Sequence, residues 1–216
     1  MPIRGRTPEE CFDGFYEHVS TLVADVFNGL YVSMVRSDDR FQRDMQLGPD
    51  GTDYVDLSTS KGASVKFHLS QNLRVFERPA AEVAGAGERY QLKTHAYWYK
   101  VYDVQPGLTD EPLFRWEYTA EVPEGKHWCR HHFQIGKMAT NEAGLRRALE
   151  IPLAGSPIDL NRIHIPTGFM LMEYVFRFLF TELEVTPKLP TEAWEAKLAE
   201  SEKRFFREFS AKTSTP

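Results

Sequence analysis

A chain of 216 residues has the length of one domain, and its 42% apolar and 26% charged residues exclude a disordered or fibrous protein. The formal net charge of −5 argues against nucleic-acid recognition through an overall positive field, but it leaves room for a local basic face. The two cysteines, Cys11 and Cys129, stand far apart and outside any spaced set that builds a zinc site or a disulfide framework, so reduced thiols in a cytoplasmic protein are expected.

The opening segment has no apolar run of the signal-peptide kind, and the most apolar stretch, FMLMEYVFRFLF, is short and broken by Glu173 and Arg177. No export signal and no membrane association are expected. Thr7-Pro8-Glu9-Glu10 reads as a helix start, with Thr7 at the N-cap, Pro8 in the first turn and Glu10 closing a capping box. Phe12, Phe15, Tyr16, Val19, Leu22, Val23, Val26 and Phe27 then recur at helical spacing up to a stop at Asn28-Gly29. Residues 30–50 mix strand-like and turn chemistry and suggest no function.

From about residue 53 the apolar period becomes two. RYQLKTHAYWYKVYDV and EPLFRWEYTAEV read as antiparallel strands ended by turns, and RHHFQIG and RIHIPTG complete the set. Residues 138–161 read as an irregular crossover with room for one short helix, the segment expected to be most mobile. From Phe169 to Leu183 the polar positions Glu173, Arg177 and Thr181 form a narrow stripe that is expected to face water, with Glu173 and Arg177 paired across one turn. A last amphipathic helix starts near Thr191. The expected fold is α+β: a curved antiparallel β-sheet packed against an N-terminal helix and C-terminal helices. It forms a single domain over 1–216, with a peripheral C-terminal helix at about 191–211.

Side chains alternate across a strand, so apolar parity sorts each strand into a helix-facing and an outer side. Ala63, Val65, Phe67 and Leu69 go inward, leaving Lys66 and His68 outside. Leu92, Ala96, Trp98 and Tyr102 are taken as inward, which puts Lys93, His95, Tyr97 and Tyr99 outside. Phe114, Trp116 and Tyr118 alternate with Arg115 and Glu117. In KHWCRHHFQIGK, Phe133 and Ile135 fix the parity, sending Cys129 and His131 inward and Trp128, Arg130, His132 and Gln134 outward. Ile163 and Ile165 likewise send Arg162 and His164 outward. The outer face thus gathers Lys66, Lys93, Arg115, Arg130 and Arg162 against the one carboxylate of Glu117, a pattern that attracts an anion such as a phosphodiester. An antiparallel sheet with one wet face carries polar residues in any case, so the pattern alone does not establish a function.

The cluster HWCRHH first suggests a metal, since imidazole and thiolate are zinc ligands. Parity divides its adjacent histidines, and no second ligand set accompanies it, so no metal and no cofactor are expected. General acid–base chemistry fits better: it needs histidines that titrate near neutrality, a carboxylate to orient them and cations to stabilise developing negative charge. His132, His164 and Glu117 are the candidate catalytic residues, and Arg130, Arg162, Arg115, Tyr97 and Lys93 the candidate substrate-binding residues. RNA cleavage by this route requires no metal, because the 2′-hydroxyl is the nucleophile. Phosphate-loop, GxGxxG, GxSxG and HExxH signatures are missing from the chain.

The succession of an aromatic-rich strand, the element Arg115-Trp116-Glu117, the closely spaced His127, His131 and His132 and the helix FMLMEYVFRFLFTEL resembles the TumE family of small bacterial toxin-like proteins. Glu117 stands where the family's R-Y-D element has Asp. The resemblance covers about residues 90–185, interrupted by 138–161, and leaves out both terminal helices. It implies an intracellular toxin or defence-associated protein that acts on RNA or another anionic ligand and is restrained by an antitoxin or neighbouring protein partner. The alternative is a non-catalytic protein-interaction or small-ligand-binding module, suggested by the 13% aromatic content, by Trp128 and Tyr99 if exposed, and by a charged last helix suited to a homodimer or partner contact.

Overall fold

The computed structural model describes residues 3–83, 87–103, 112–121, 131–135, 165–166 and 168–210. Helix α1 (Pro8–Val26) begins as its sequence dictates: Thr7 is extended, and its hydroxyl accepts from the Glu10 backbone N–H at 3.2 Å. Glu10 reaches back to the Arg6 backbone N–H at 2.7 Å, one residue before the usual capping-box partner. Cys11, Phe12, Phe15, Val19, Leu22, Val23 and Val26 are buried along one face, whereas Tyr16 is exposed. Burial and the neighbouring Glu10 push the Cys11 thiol up to about 12, so it remains a protonated core side chain. Gly29, at φ 69°, carries the chain out of the helix in a conformation open to glycine.

The strands are β1 (Arg4–Gly5), β2 (Val32–Arg36), β3 (Gln42–Leu47), β4 (Val55–Ser58), β5 (Ser64–Glu77), β6 (Tyr90–Asp103), β7 (Phe114–Thr119), β8 (His131–Ile135) and β9 (Ile165–Pro166). They form an open, antiparallel sheet in the order β2-β3-β5-β6-β7-β8-β9, with β1 on β6 and β4 on β5. Residues 30–50, ambiguous in sequence, supply the β2–β3 hairpin. The long strands β5 and β6 form the spine, and each uses its two halves against different outer neighbours. The fold is therefore α+β, as the pattern of elements predicts.

One irregularity sets the faces of the sheet. Asn72 pairs with Ala96 and Leu73 with Thr94, so His95 is an extra residue on β6. A bulge of one residue reverses the parity that follows it. Leu92, opposite Val75, faces the helices before the bulge; after it the inward set is Tyr97, Tyr99 and Val101, all fully buried. Trp98 and Tyr102, expected inside, lie on the outer side with Lys100, opposite Ser70 and Lys66. Tyr97 and Tyr99 stack with centroids 4.6 Å apart in the core instead of on the outer face.

Helix α2 (Met172–Thr181) lays Val175, Phe176 and Leu179 on the sheet, where Phe176 meets Phe27 and Phe67, and Phe178 meets Phe114 and Trp116. Helix α3 (Thr191–Ser210) buries Trp194, Leu198 and Ser201 in the same assembly. It corrects the reading of the polar stripe: Glu173 is fully buried, and Arg177 meets Glu202 at 2.7 Å and Glu195 at 3.8 Å. Glu173 and Arg177 are apposed to α3 because their carboxylate and guanidinium find polar partners there, whereas Thr181 is exposed as expected. No helix among the described residues is long and apolar enough to cross a membrane.

Candidate functional site

Strands β7 and β8 bring Glu117 directly opposite His132, and His132 Nε2 donates to Glu117 Oε2 at 3.1 Å when that nitrogen carries the proton. In the next row Lys100, Arg115 and Gln134 are cross-strand neighbours on the same side of the sheet. Arg115 Nη1 lies 4.0 Å from Glu117 Oε1. Side-chain exposure falls from 34% at Arg115 to 20% at Glu117 and 10% at His132. A solvent-side cation thus leads to a half-buried carboxylate and a buried imidazole.

Burial alone would raise the Glu117 pKa. The hydrogen bond from His132 and the charges of Arg115 and Lys100 outweigh that effect and hold the carboxyl below its usual range. Glu117 is accordingly an ionised acceptor at neutral pH, able to orient the ring and to stabilise an imidazolium.

Of the residues proposed from sequence, Glu117, His132 and Arg115 come together. His164, Arg130 and Arg162 lie outside the described residues, as do His127, Trp128 and Cys129. Tyr97 does not belong to this face: the bulge at His95 turns it toward the helices, where its hydroxyl accepts from the Met170 backbone N–H at 2.9 Å. Tyr99, read as exposed, is fully buried by the same inversion. Lys93 is exposed, but it lies five residues along β6 from Trp98, the cross-strand neighbour of Glu117, or about 15 Å at strand rise. Its ammonium sits 5.3 Å over the Phe76 ring.

The sequence reading missed Lys100, whose outward position follows only once the bulge is counted. Lys66 and His68 are on the outer side as expected, but the preceding loop engages both. Lys66 Nζ donates to the Tyr54 hydroxyl at 3.1 Å, and the His68 ring is hydrogen-bonded at Nδ1 to the Asp53 carbonyl. His131 faces inward as expected, stacked on Tyr118 at 4.3 Å and packed edge-on against Phe169. Among the described residues no group of three or more His, Cys, Asp or Glu side chains is placed to hold a metal ion.

In comparisons with known proteins, no family model, no curated protein and no solved structure matches this chain.

Proposed function

We propose that this chain is a toxin-like, RNA-directed protein whose outer sheet face cleaves phosphodiesters without a metal, with His132 as the general base and Glu117 as the carboxylate that orients it. The observation that carries the reading is the 3.1 Å contact between His132 and Glu117 beside two cations of the same face, Arg115 and Lys100. In this reaction the 2′-hydroxyl attacks phosphorus and its proton passes to His132. The bond from phosphorus to the 5′-oxygen then breaks, and that oxygen takes a proton from water. The products are a 2′,3′-cyclic phosphate and a 5′-hydroxyl end. Glu117 holds the ring and stabilises the imidazolium formed; Arg115 and Lys100 balance the charge that develops on the phosphorane oxygens.

The TumE resemblance, over about residues 90–185, takes in Glu117 and His132 and supports a partner of the antitoxin kind and an intracellular, cytoplasmic role. The experiment is incubation of the purified protein with single-stranded and structured RNAs in the presence of a chelator, with product ends identified by mass spectrometry. The reading expects 2′,3′-cyclic phosphates, and a loss of about 100-fold or more in Glu117→Gln with the fold retained by circular dichroism. Products ending in 3′-hydroxyl groups, or unchanged cleavage by the variant, contradict it.

A further inference from the structure

On the opposite side of the sheet, beneath α1 and the start of α2, lies a cavity of about 260 Å³. Phe15, Leu92, Tyr118, Phe169 and Met172 give it apolar and aromatic walls, and Gln71, Tyr99 and Glu173 form its polar end. Both Gln71 and Glu173 are more than nine-tenths buried. The Gln71 amide nitrogen donates to the Tyr99 hydroxyl, and Gln71 Oε1 has no hydrogen-bond partner among the described residues. Glu173 Oε1 accepts from the Ser201 hydroxyl, and Glu173 Oε2 likewise has no partner among the described residues. Buried polar atoms are overwhelmingly partnered in native proteins. Two residues of one cavity lining that each carry an acceptor without a partner among the described residues point to a ligand that donates hydrogen bonds there.

The carboxylate is held from behind by a chain of donors. Arg204 Nη1 donates to His18 Nδ1 at 2.9 Å, and His18 Nε2 donates to Ser201 Oγ at 2.8 Å. Ser201 in turn donates to Glu173 Oε1. Burial, with Arg204 beside it, lowers the His18 pKa to about 4, so the neutral ring suits this direction of donation. One oxygen of Glu173 is thus fixed by helix α3 while the carboxylate borders the cavity.

We infer that the cavity binds a small primary amine with an aromatic or alkyl body, its ammonium donating to Glu173 Oε2 and Gln71 Oε1 and its body lying against Phe15, Leu92 and Met172. An ammonium has three donors and no acceptor, which matches two acceptors and the Tyr99 oxygen. Phe15, Tyr118 and Phe169 put aromatic rings in the wall, and it is the face of such a ring that attracts a cation. A carboxylic acid of equal shape would set like charge against Glu173. Lys93 stands at the rim, with its own ammonium drawn over Phe76. The volume is just below the ~300 Å³ at the lower end of small-molecule sites, so a single ring with a short chain is the appropriate size. The inference concerns the other side of the sheet and does not rest on the Glu117–His132 reading.

The test is isothermal titration of the full chain at pH 8 with 2-phenylethylamine and with 3-phenylpropionate, a probe of like size and opposite charge. Saturable one-to-one binding of the amine is expected, with at least tenfold weaker binding of the acid and at least tenfold weaker amine binding by Glu173→Gln. Gln71→Leu, which removes the second acceptor while leaving the carboxylate, is expected to weaken the amine severalfold. Absence of saturable amine binding to the wild type, equal binding of amine and acid, or full affinity in Glu173→Gln would overturn the assignment.

Discussion

Replacing Glu173 by Gln tests how the buried carboxyl shapes stability. Burial raises its pKa from 4.5 to about 7; the hydrogen bond from Ser201 and the nearby Arg177 oppose the shift, and Glu202 adds to it. In the unfolded chain the carboxyl loses its proton near the ordinary value, while in the folded protein it keeps it until about pH 7. Between those values the folded state binds more protons. The associated stability is therefore full below about pH 4.5 and is lost as pH rises through about 7. A shift of this size corresponds to about 3 kcal/mol, undiminished by solvent because the side chain is fully buried.

His18, linked through Ser201, works in the opposite sense. Its depressed pKa gives stability that rises with pH between about 4 and 6.5, so in the wild type the two groups offset one another over much of the range. Glu173→Gln keeps an acceptor for Ser201 and removes the ionisation. The variant should match the wild type near pH 4.5 and exceed it by up to about 3 kcal/mol at pH 8, with the His18 dependence exposed. Urea unfolding followed by tryptophan fluorescence at pH 4.5, 6 and 8 measures this. A variant whose stability differs from the wild type by the same amount at all three pH values would mean that the Glu173 carboxyl does not titrate differently in the folded and unfolded chain.

Three further substitutions probe single contacts of the fold. Tyr97→Phe removes the acceptor of the Met170 N–H and should lower stability by about 1 kcal/mol in urea unfolding. Thr7→Ala, which deletes the α1 N-cap, should also cost about 1 kcal/mol, and Thr7→Ser should restore most of it, read as melting temperatures. Glu117 has a depressed folded pKa, so its contribution is present above pH 4.5 and is lost as acid drives the pH down through the folded value. In acid titrations followed by circular dichroism, Glu117→Gln should flatten that limb of the wild-type curve.

Much of the fold follows from local chemistry. Thr7-Pro8-Glu9-Glu10 starts α1 where it is seen, and the parity of Phe67 and Leu69, of Trp116 and of Phe133 places the core side of β5, β7 and β8 correctly. These three facts are enough to put Glu117 and His132 on one face. The errors arise where one residue changes the register. Ala96, Trp98 and Tyr102 on one parity and Tyr97, Tyr99 and Val101 on the other make β6 apolar on both sides, so the sequence does not reveal the bulge at His95. An isolated helix with one polar stripe turns that stripe, Glu173 included, to water; only the apposition of α3, with Ser201 at the right height, makes burial of Glu173 tolerable. A signal for the cavity was present in β5. The inward parity of Phe67 and Leu69 continues to Gln71, an amide at a core position, which requires a polar partner or a ligand.

Chemistry on RNA by the proposed Glu117–His132 pair is tested by single-turnover cleavage of a fluorogenic RNA in chelator by the wild type and by His132→Asn, each verified as folded. Measurable cleavage by the wild type is expected, with a loss of about 100-fold or more in the variant. A wild type inert toward every RNA offered, or a variant that cleaves at the wild-type rate, would contradict it.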